Sequence, residues 1–274
     1  MKTLKDHMII YDDECPMCDL YTGAFITTGM LENNGRIPYS KADESLMQNV
    51  DKRKACDKIA LVNTKTGAVT YGLRSLTKIL GHRFPLARPV FRSTTFQWVM
   101  EIVYGLISYN RKVIIPGRQF EAYNSCTPTF HLGYRWAYIL FAWLASSLIL
   151  NAYTPLLMPL VPAGNFYREL LVCAGQIVFQ GAMLLMMTRD REMTMHYLGN
   201  MMTISLAGSL LLLPAWLVSS YVHAPFFFVA WFMTVVTLML LEHMRRIKLL
   251  YLYWGISASW VIYRLVVLKI IGVS

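Results

Sequence analysis

From residue 136 onward the chain runs through five apolar stretches of about 20 residues, near 136–158, 167–188, 196–219, 225–243 and 249–271. A helix of about 20 residues just crosses the hydrocarbon core of a bilayer. In that medium the backbone must satisfy its own hydrogen bonds, so apolar runs of this length become helices. The second half is therefore expected to be an all-α transmembrane bundle of five spans. The first half reads differently. Residues 1–135 hold 18 of the 26 Lys/Arg and 12 of the 16 Asp/Glu, as a water-soluble domain would. The expected division is a soluble domain over 1–128 and a membrane domain over 129–274.

Charge between the spans predicts their orientation. Arg111, Lys112, Arg118 and Arg135 precede the first span, Arg189-Asp190-Arg191-Glu192 lies in the second connection, and His243-Met244-Arg245-Arg246-Ile247-Lys248 forms the fourth. The first connection (Asn165, Arg168) and the third (His223-Ala224-Pro225) carry little charge. Basic connections stay on the cytoplasmic side. The reading is thus an integral plasma (inner) membrane protein with a cytoplasmic N-terminal domain and the C-terminus outside. Met1 to Asp6 is polar and the apolar run after it is too short for a secretory leader, which agrees. The net charge of +10 is absorbed by these flanks. No dense Lys/Arg block with interleaved aromatics is present, which argues against a nucleic-acid partner and leaves the lipid bilayer as the expected one.

A few polar residues interrupt the spans. Cys173, Gln176 and Gln180 share one helical face of the second span, and Asn200 and Arg264 are candidates to join them in an interior polar cluster. Intramembrane amides usually bind helices to each other, with a ligand pocket as the alternative. Arg264 and Lys269 lie toward the outer end of the fifth span, so Arg264 either snorkels or faces a polar interior. Glu242 and His243 read as interfacial. The 17 methionines suit gap-filling packing. No span carries a Cys-x-x-Cys, which argues against quinone-linked disulfide chemistry in the membrane.

In the soluble half the sharpest signal is Tyr11-Asp12-Asp13-Glu14-Cys15-Pro16-Met17-Cys18. A short apolar strand (Met8 to Tyr11) meets an acidic turn, and the cysteine pair opens a helix running to about Thr28. Pro16 suits a first helical turn. Cys15, nearest the helix N-terminus, would have its thiolate stabilised by unpaired N–H groups, while Asp12, Asp13 and Glu14 oppose that. The expected result is a modestly acidified Cys15 and a reducing couple. Further along, the pattern predicts a strand near Arg36–Ser40, a short helix over 42–50 and a solvated basic run at Lys52-Arg53-Lys54. A strand-turn-strand follows over 58–71, then a helix from Leu73 closed by Gly81. A last amphipathic helix spans 91–109, with Trp98, Ile102 and Leu106 on one face, ahead of a basic connector Asn110-Arg111-Lys112. This order is an α/β, thioredoxin-like layout with the cysteine pair at the first strand-to-helix junction.

The Tyr11–Cys18 stretch resembles the signature of the DCC family of thiol-disulfide oxidoreductases (domain of unknown function 393), an aromatic followed by Asp-Gly-x-Cys-x-x-Cys. Leu61-Val62-Asn63 through Gly67 to Tyr71-Gly72, Tyr104 through Asn110-Arg111, and Gly117-Arg118 with Cys126 resemble its later segments, so the similarity covers roughly residues 7–126. Asp13 stands where the family has glycine. No proline precedes the 58–63 strand, where thioredoxins carry a cis-proline. The resemblance implies dithiol–disulfide exchange: Cys15 attacks a disulfide and Cys18 resolves the intermediate, with Tyr11, Asp12, Asp13 and Pro16 in support. The substrate would be a protein or small-molecule disulfide; the electron donor is not named by any residue. No cofactor beyond the redox-active disulfide is needed. Zinc is the competing use of such a pair, yet no second pair follows and His7 is the only histidine nearby. The five cysteines do not describe a structural disulfide framework, and Cys56 and Cys126 read as secondary thiols. Two other readings stay open: a non-catalytic membrane module that senses or recruits a partner, and a transporter or lipid-active bundle carrying a redox switch.

Overall fold

The computed structural model describes residues 2–117, 126, 128–158, 161–162, 164–222 and 224–273. It divides into two compact units, Met1–Tyr134 and Arg135–Ser274. The first unit carries β1 (His7–Tyr11), α1 (Pro16–Thr27), β2 (Arg36–Pro38), α2 (Glu44–Met47), α3 (Lys52–Asp57), β3 (Ala60–Asn63) and β4 (Val69–Tyr71). It continues through α4 (Leu73–Arg83), α5 (Arg88–Arg92) and α6 (Thr94–Ile114).

The strands form one mixed sheet in the order β2-β1-β3-β4. β1 runs parallel to β2 with Ile10 opposite Ile37, and antiparallel to β3 with Ile9 opposite Leu61; β3 and β4 are antiparallel. Alternation along the strands sorts the apolar side chains to two faces. Ile9 and Leu61 pack with Phe25 of α1 and Ile79 of α4 on one face. Ile10, Ala60 and Val62 pack with Val50, Ala55 and Met47 on the other. Because β1 is covered on both faces, it appears in the sequence as an unbroken apolar run rather than an alternation.

Several expected elements end elsewhere. β2 stops at Pro38, which has no N–H to extend the ladder, and a 3-10 turn follows over Tyr39–Lys41. The helix expected over 42–50 is the single turn α2, started by Asp43 accepting the Leu46 N–H at 3.0 Å. Gly81 does not close α4. It lies buried within it, beside Arg88 and Phe91, and the helix ends at Arg83 ahead of Phe84-Pro85. The helix expected over 91–109 is two helices broken at Ser93. Of the residues expected on one face of it, Trp98 and Ile102 are 67% and 47% exposed and Leu106 is half-buried, so most of that stripe of α6 lies bare. Asn110-Arg111-Lys112 is no connector: it belongs to the last turns of α6, with Asn110 and Arg111 buried.

α7 (Leu132–Tyr153, prolonged by a 3-10 turn to Leu157) begins in the last three residues of the first unit, and the rest of it belongs to the second unit with α8 (Phe166–Thr188), α9 (Arg191–Leu217), α10 (Pro225–Leu249) and α11 (Gly255–Val273). All five helices are long and apolar enough to cross a membrane. Of the apolar window of α9, 67% is buried, against 11–33% for the others, which makes α9 the central helix. Large apolar side chains such as Leu171, Met186, Leu241 and Ile270 are left exposed on the outside, as the lipid-facing side of a membrane helix would be. Gly208 lets α10 approach α9: a Cβ there would overlap Met239.

Two connections differ from expectation. α9 begins at Arg191, with Asp190 accepting the Met193 N–H at 3.0 Å as its cap. The 243–248 segment is helical rather than a connection, because Glu242 pairs with Arg245 and Arg246 at 2.7 Å and carries α10 past the apolar run. The chain turns instead after Leu249, with Tyr251 left-handed at φ 53°. His243 is accordingly 1% exposed, in the core and not at an interface. His223 of the third connection lies outside the described residues.

Candidate functional site

The turn after β1 is tied by Asp12. Its Oδ1 accepts the Glu14 N–H at 3.1 Å, and its main-chain oxygen accepts the Cys15 N–H at 3.2 Å. Asp13, in the place of a glycine, has no positive φ; its Oδ2 accepts the Ser40 hydroxyl at 2.7 Å. Cys15 then caps α1 in extended geometry (φ −95°, ψ 104°), its Sγ accepting the Cys18 N–H at 3.4 Å, and Pro16 opens the first turn. A sulfur at this position meets the N–H groups that the helix leaves unsatisfied.

Both cysteines are unoxidised thiols, and both are enclosed. Cys15 is 1% exposed and Cys18 3%, packed with Tyr11, Met17 and Tyr21. Exchange chemistry calls for an exposed thiolate, so this burial departs from the expected site. Gly117 lies against the same turn, so closely that a Cβ there would overlap the Glu14 carbonyl oxygen.

Beneath the turn stands Arg111 of α6. It donates from Nη2 to Asp12 Oδ2 at 2.8 Å and to the Cys56 carbonyl at 2.7 Å, and from Nη1 to the Asp57 carbonyl at 3.2 Å. The Arg111 and Asp12 side chains are 5% and 2% exposed, so this ion pair is nearly unscreened. Lys112 pairs with Glu14 at 3.5 Å. Two of the three acidic charges expected to oppose the thiolate therefore have a cation beside them.

The environment splits the two thiols. Cys15 is lowered from 9.0 to about 7, first by the hydrogen bond from the Cys18 thiol and then by the Cys18 N–H and Arg111, against burial and Asp12. Cys18 is raised, first by that same hydrogen bond and then by burial, with Arg111 offsetting part. Burial also raises Tyr21, and pushes Tyr104 up to about 12. A cavity of about 40 Å³ adjoins Cys18, between Tyr21, Tyr104 and Arg111. A surface groove of about 470 Å³, edged by Lys58, Tyr71, Arg74 and Tyr109, shares Tyr104 with it.

Cys56 and Cys126, expected as separate thiols, are joined in a disulfide across 70 residues of sequence, with Cα atoms 4.8 Å apart. The expectation that no structural disulfide exists is corrected by this bond. Nothing in the spacing announces it, since the two meet only when α3 and the chain after α6 are folded together. Arg118, expected in the same closing segment, lies outside the described residues.

The polar residues of the spans separate into three places. Gln180 joins a hydrogen-bonded network that the sequence did not reveal: Tyr197 donates to Gln180 Oε1 at 2.9 Å and meets His243 Nε2 at 3.1 Å. His243 Nδ1 meets Ser257 Oγ at 3.1 Å, and Gln180 donates to Ser259 at 3.1 Å. Asn200 accepts from Arg246 at 3.1 Å at another level of the bundle. Cys173 and Arg264 line one cavity together. Gln176, one turn from Cys173, is 3% exposed with neither amide atom hydrogen-bonded. Comparison of the chain with protein-family models, with curated proteins and with solved structures finds no match.

Proposed function

We propose that the protein is a membrane-anchored thiol-disulfide oxidoreductase of the DCC type, with Cys15 as nucleophile and Cys18 as resolving thiol. The observation that carries this reading is the asymmetry of the pair: a helix-capping Cys15 lowered to about 7 beside a Cys18 that stays protonated. The β1-α1-β2 and β3-β4-α4 order around one mixed sheet supports a thioredoxin-like fold for the first unit.

In the forward reaction the Cys15 thiolate attacks one sulfur of a substrate disulfide. The S–S bond breaks, its electron pair leaves with the other sulfur as a thiolate, and a mixed disulfide forms on Cys15. The main cause holding the Cys18 proton, the hydrogen bond to an anionic Cys15, is then gone, and Arg111 remains to favour the Cys18 thiolate. Cys18 attacks Cys15, the second substrate thiolate leaves, and the chain holds a Cys15–Cys18 disulfide after a two-electron reduction of the substrate. An external thiol donor restores the dithiol. The basic flanks of the spans support, in the same reading, a cytoplasmic side of the plasma (inner) membrane for this domain.

The test is reduction of insulin or a model disulfide by the purified chain, with dithiothreitol as donor. Wild type should turn over, Cys15→Ser should not, and Cys18→Ser should accumulate a mixed disulfide. Turnover that survives Cys15→Ser removes the nucleophile. The burial of both sulfurs favours a second reading, a redox sensor whose pair reacts slowly and not as a turnover enzyme; single-turnover oxidation without sustained insulin reduction would select it.

A further inference from the structure

Because α11 starts at Gly255 and not near 249, Arg264 stands not toward its outer end but midway along it, where a charged side chain is furthest from water on either side of a bilayer. Its Nε is fully buried and without a partner. Its guanidinium rests on the Trp260 ring, 4.7 Å from the centroid. The second unit's acids are occupied elsewhere: Glu169 with Arg168, Glu192 with His196, Glu242 with Arg245 and Arg246, and Asp190 as the cap of α9. One ring face offsets only a fraction of the cost of desolvating a cation.

Beside the guanidinium lies a cavity of about 30 Å³ lined by Ser146, Cys173, Ser205, Ser209 and apolar groups of α9 and α10. Ser146 is fully buried and its Oγ has no hydrogen-bond partner. Gly208 and the Met239 side chain packed against it form part of the cavity wall. A buried cation, an unsatisfied hydroxyl donor and a weak thiol donor therefore converge on one small space. Its size holds one or two atoms as large as a water molecule, too few for a phosphate headgroup or a carboxylate-bearing metabolite. We propose that this cavity binds a monatomic anion of the halide class, held by Arg264 and by the Ser146 hydroxyl and Cys173 thiol. The anion supplies the counter-charge that Arg264 lacks among the described residues of the bundle, and links α7, α8, α9 and α11 around one centre.

The test uses the full chain in lipid nanodiscs, titrated with sodium chloride against sodium gluconate at constant ionic strength. Chloride-35 NMR line width reads binding, and thermal unfolding reads linkage to stability. The expected result is saturable line broadening with chloride, competed by bromide, together with a rise in unfolding temperature that gluconate does not give. Arg264→Gln should weaken binding at least tenfold, and Ser146→Ala should weaken it less. Absence of saturable broadening in the wild-type chain overturns the proposal whether or not any variant folds. So does unchanged binding in a folded Arg264→Gln. A halide site that appears only in Cys173→Ala would make the Cys173 thiolate the counter-ion and also overturn it, as would a co-purifying phospholipid released by Arg264→Gln.

Discussion

Replacing Arg111 by methionine would strand the Asp12 carboxylate in a site where it is 2% exposed. It would also remove one donor from the Cys56 carbonyl and one from the Asp57 carbonyl, which keeps the Ser108 hydroxyl. Breaking a buried pair from one side costs about 3–5 kcal/mol, because the remaining charge stays desolvated. The same change acts on the thiol. Arg111 lowers Cys15 while Asp12 raises it, so losing the arginine removes one influence and leaves the opposite one unopposed. With Cys15 at about 7, half of it is thiolate at pH 7. A rise of one unit would leave roughly a tenth. Asp12→Asn should move Cys15 the other way. The assay is iodoacetamide labelling of Cys15 by mass spectrometry between pH 5 and 10, beside unfolding temperatures of both variants. Opposite displacements of the labelling midpoint, up for Arg111→Met and down for Asp12→Asn, are expected. Midpoints that coincide with wild type in folded variants would refute the electrostatic reasoning.

Three further outcomes follow from other contacts. Cys15 is depressed from 9.0 and Cys18 raised from it, so the pair's contribution to stability should climb as pH rises from 7 to 9 and decline above 9. Above 9 the unfolded Cys18 ionises while the folded one does not. Thermal unfolding of wild type against the double Cys15→Ser/Cys18→Ser variant should show that peak, and a flat difference would contradict it. Removing the Cys56–Cys126 bond by Cys126→Ser should cost about 2–4 kcal/mol for a loop of 70 residues, read by denaturant unfolding under non-reducing conditions. Tyr197→Phe leaves Gln180 Oε1 and His243 Nε2 without their shared hydroxyl, which should cost about 1–3 kcal/mol in thermal unfolding while the helix content is unchanged.

What was legible in the chain depended on how far apart the partners lie. The spans could be read because lipid imposes a length and a polarity on each helix by itself, without reference to its neighbours. β1 and α1 could be read because strand, turn, cap and proline are consecutive. Arg111 was not legible as a site residue: a basic residue near the end of an amphipathic helix looks like a solvated flank until its partner, 99 residues earlier, is placed beneath it. His243 was misread for the same reason, since the residues around it are basic and only the fold shows Tyr197 and Ser257 closing on its ring. The bare stripe of Trp98 and Ile102 is the converse case. The pattern marks an apolar face, but whether the domain covers it is a property of packing.

The enclosure of Cys15 changes what a chemical probe of this protein measures. With Cys15 1% exposed among Tyr11, Met17 and Tyr21, a reagent reaches the sulfur only from states in which this packing has loosened, so observed labelling is the intrinsic thiolate rate multiplied by the fraction of molecules open. When closing is faster than labelling, that fraction is an equilibrium constant, and the slowing relative to an unfolded peptide converts directly to a free energy of local opening. The cysteine thus serves as a built-in gauge of breathing at the β1–α1 junction, readable without a label on any other part of the chain.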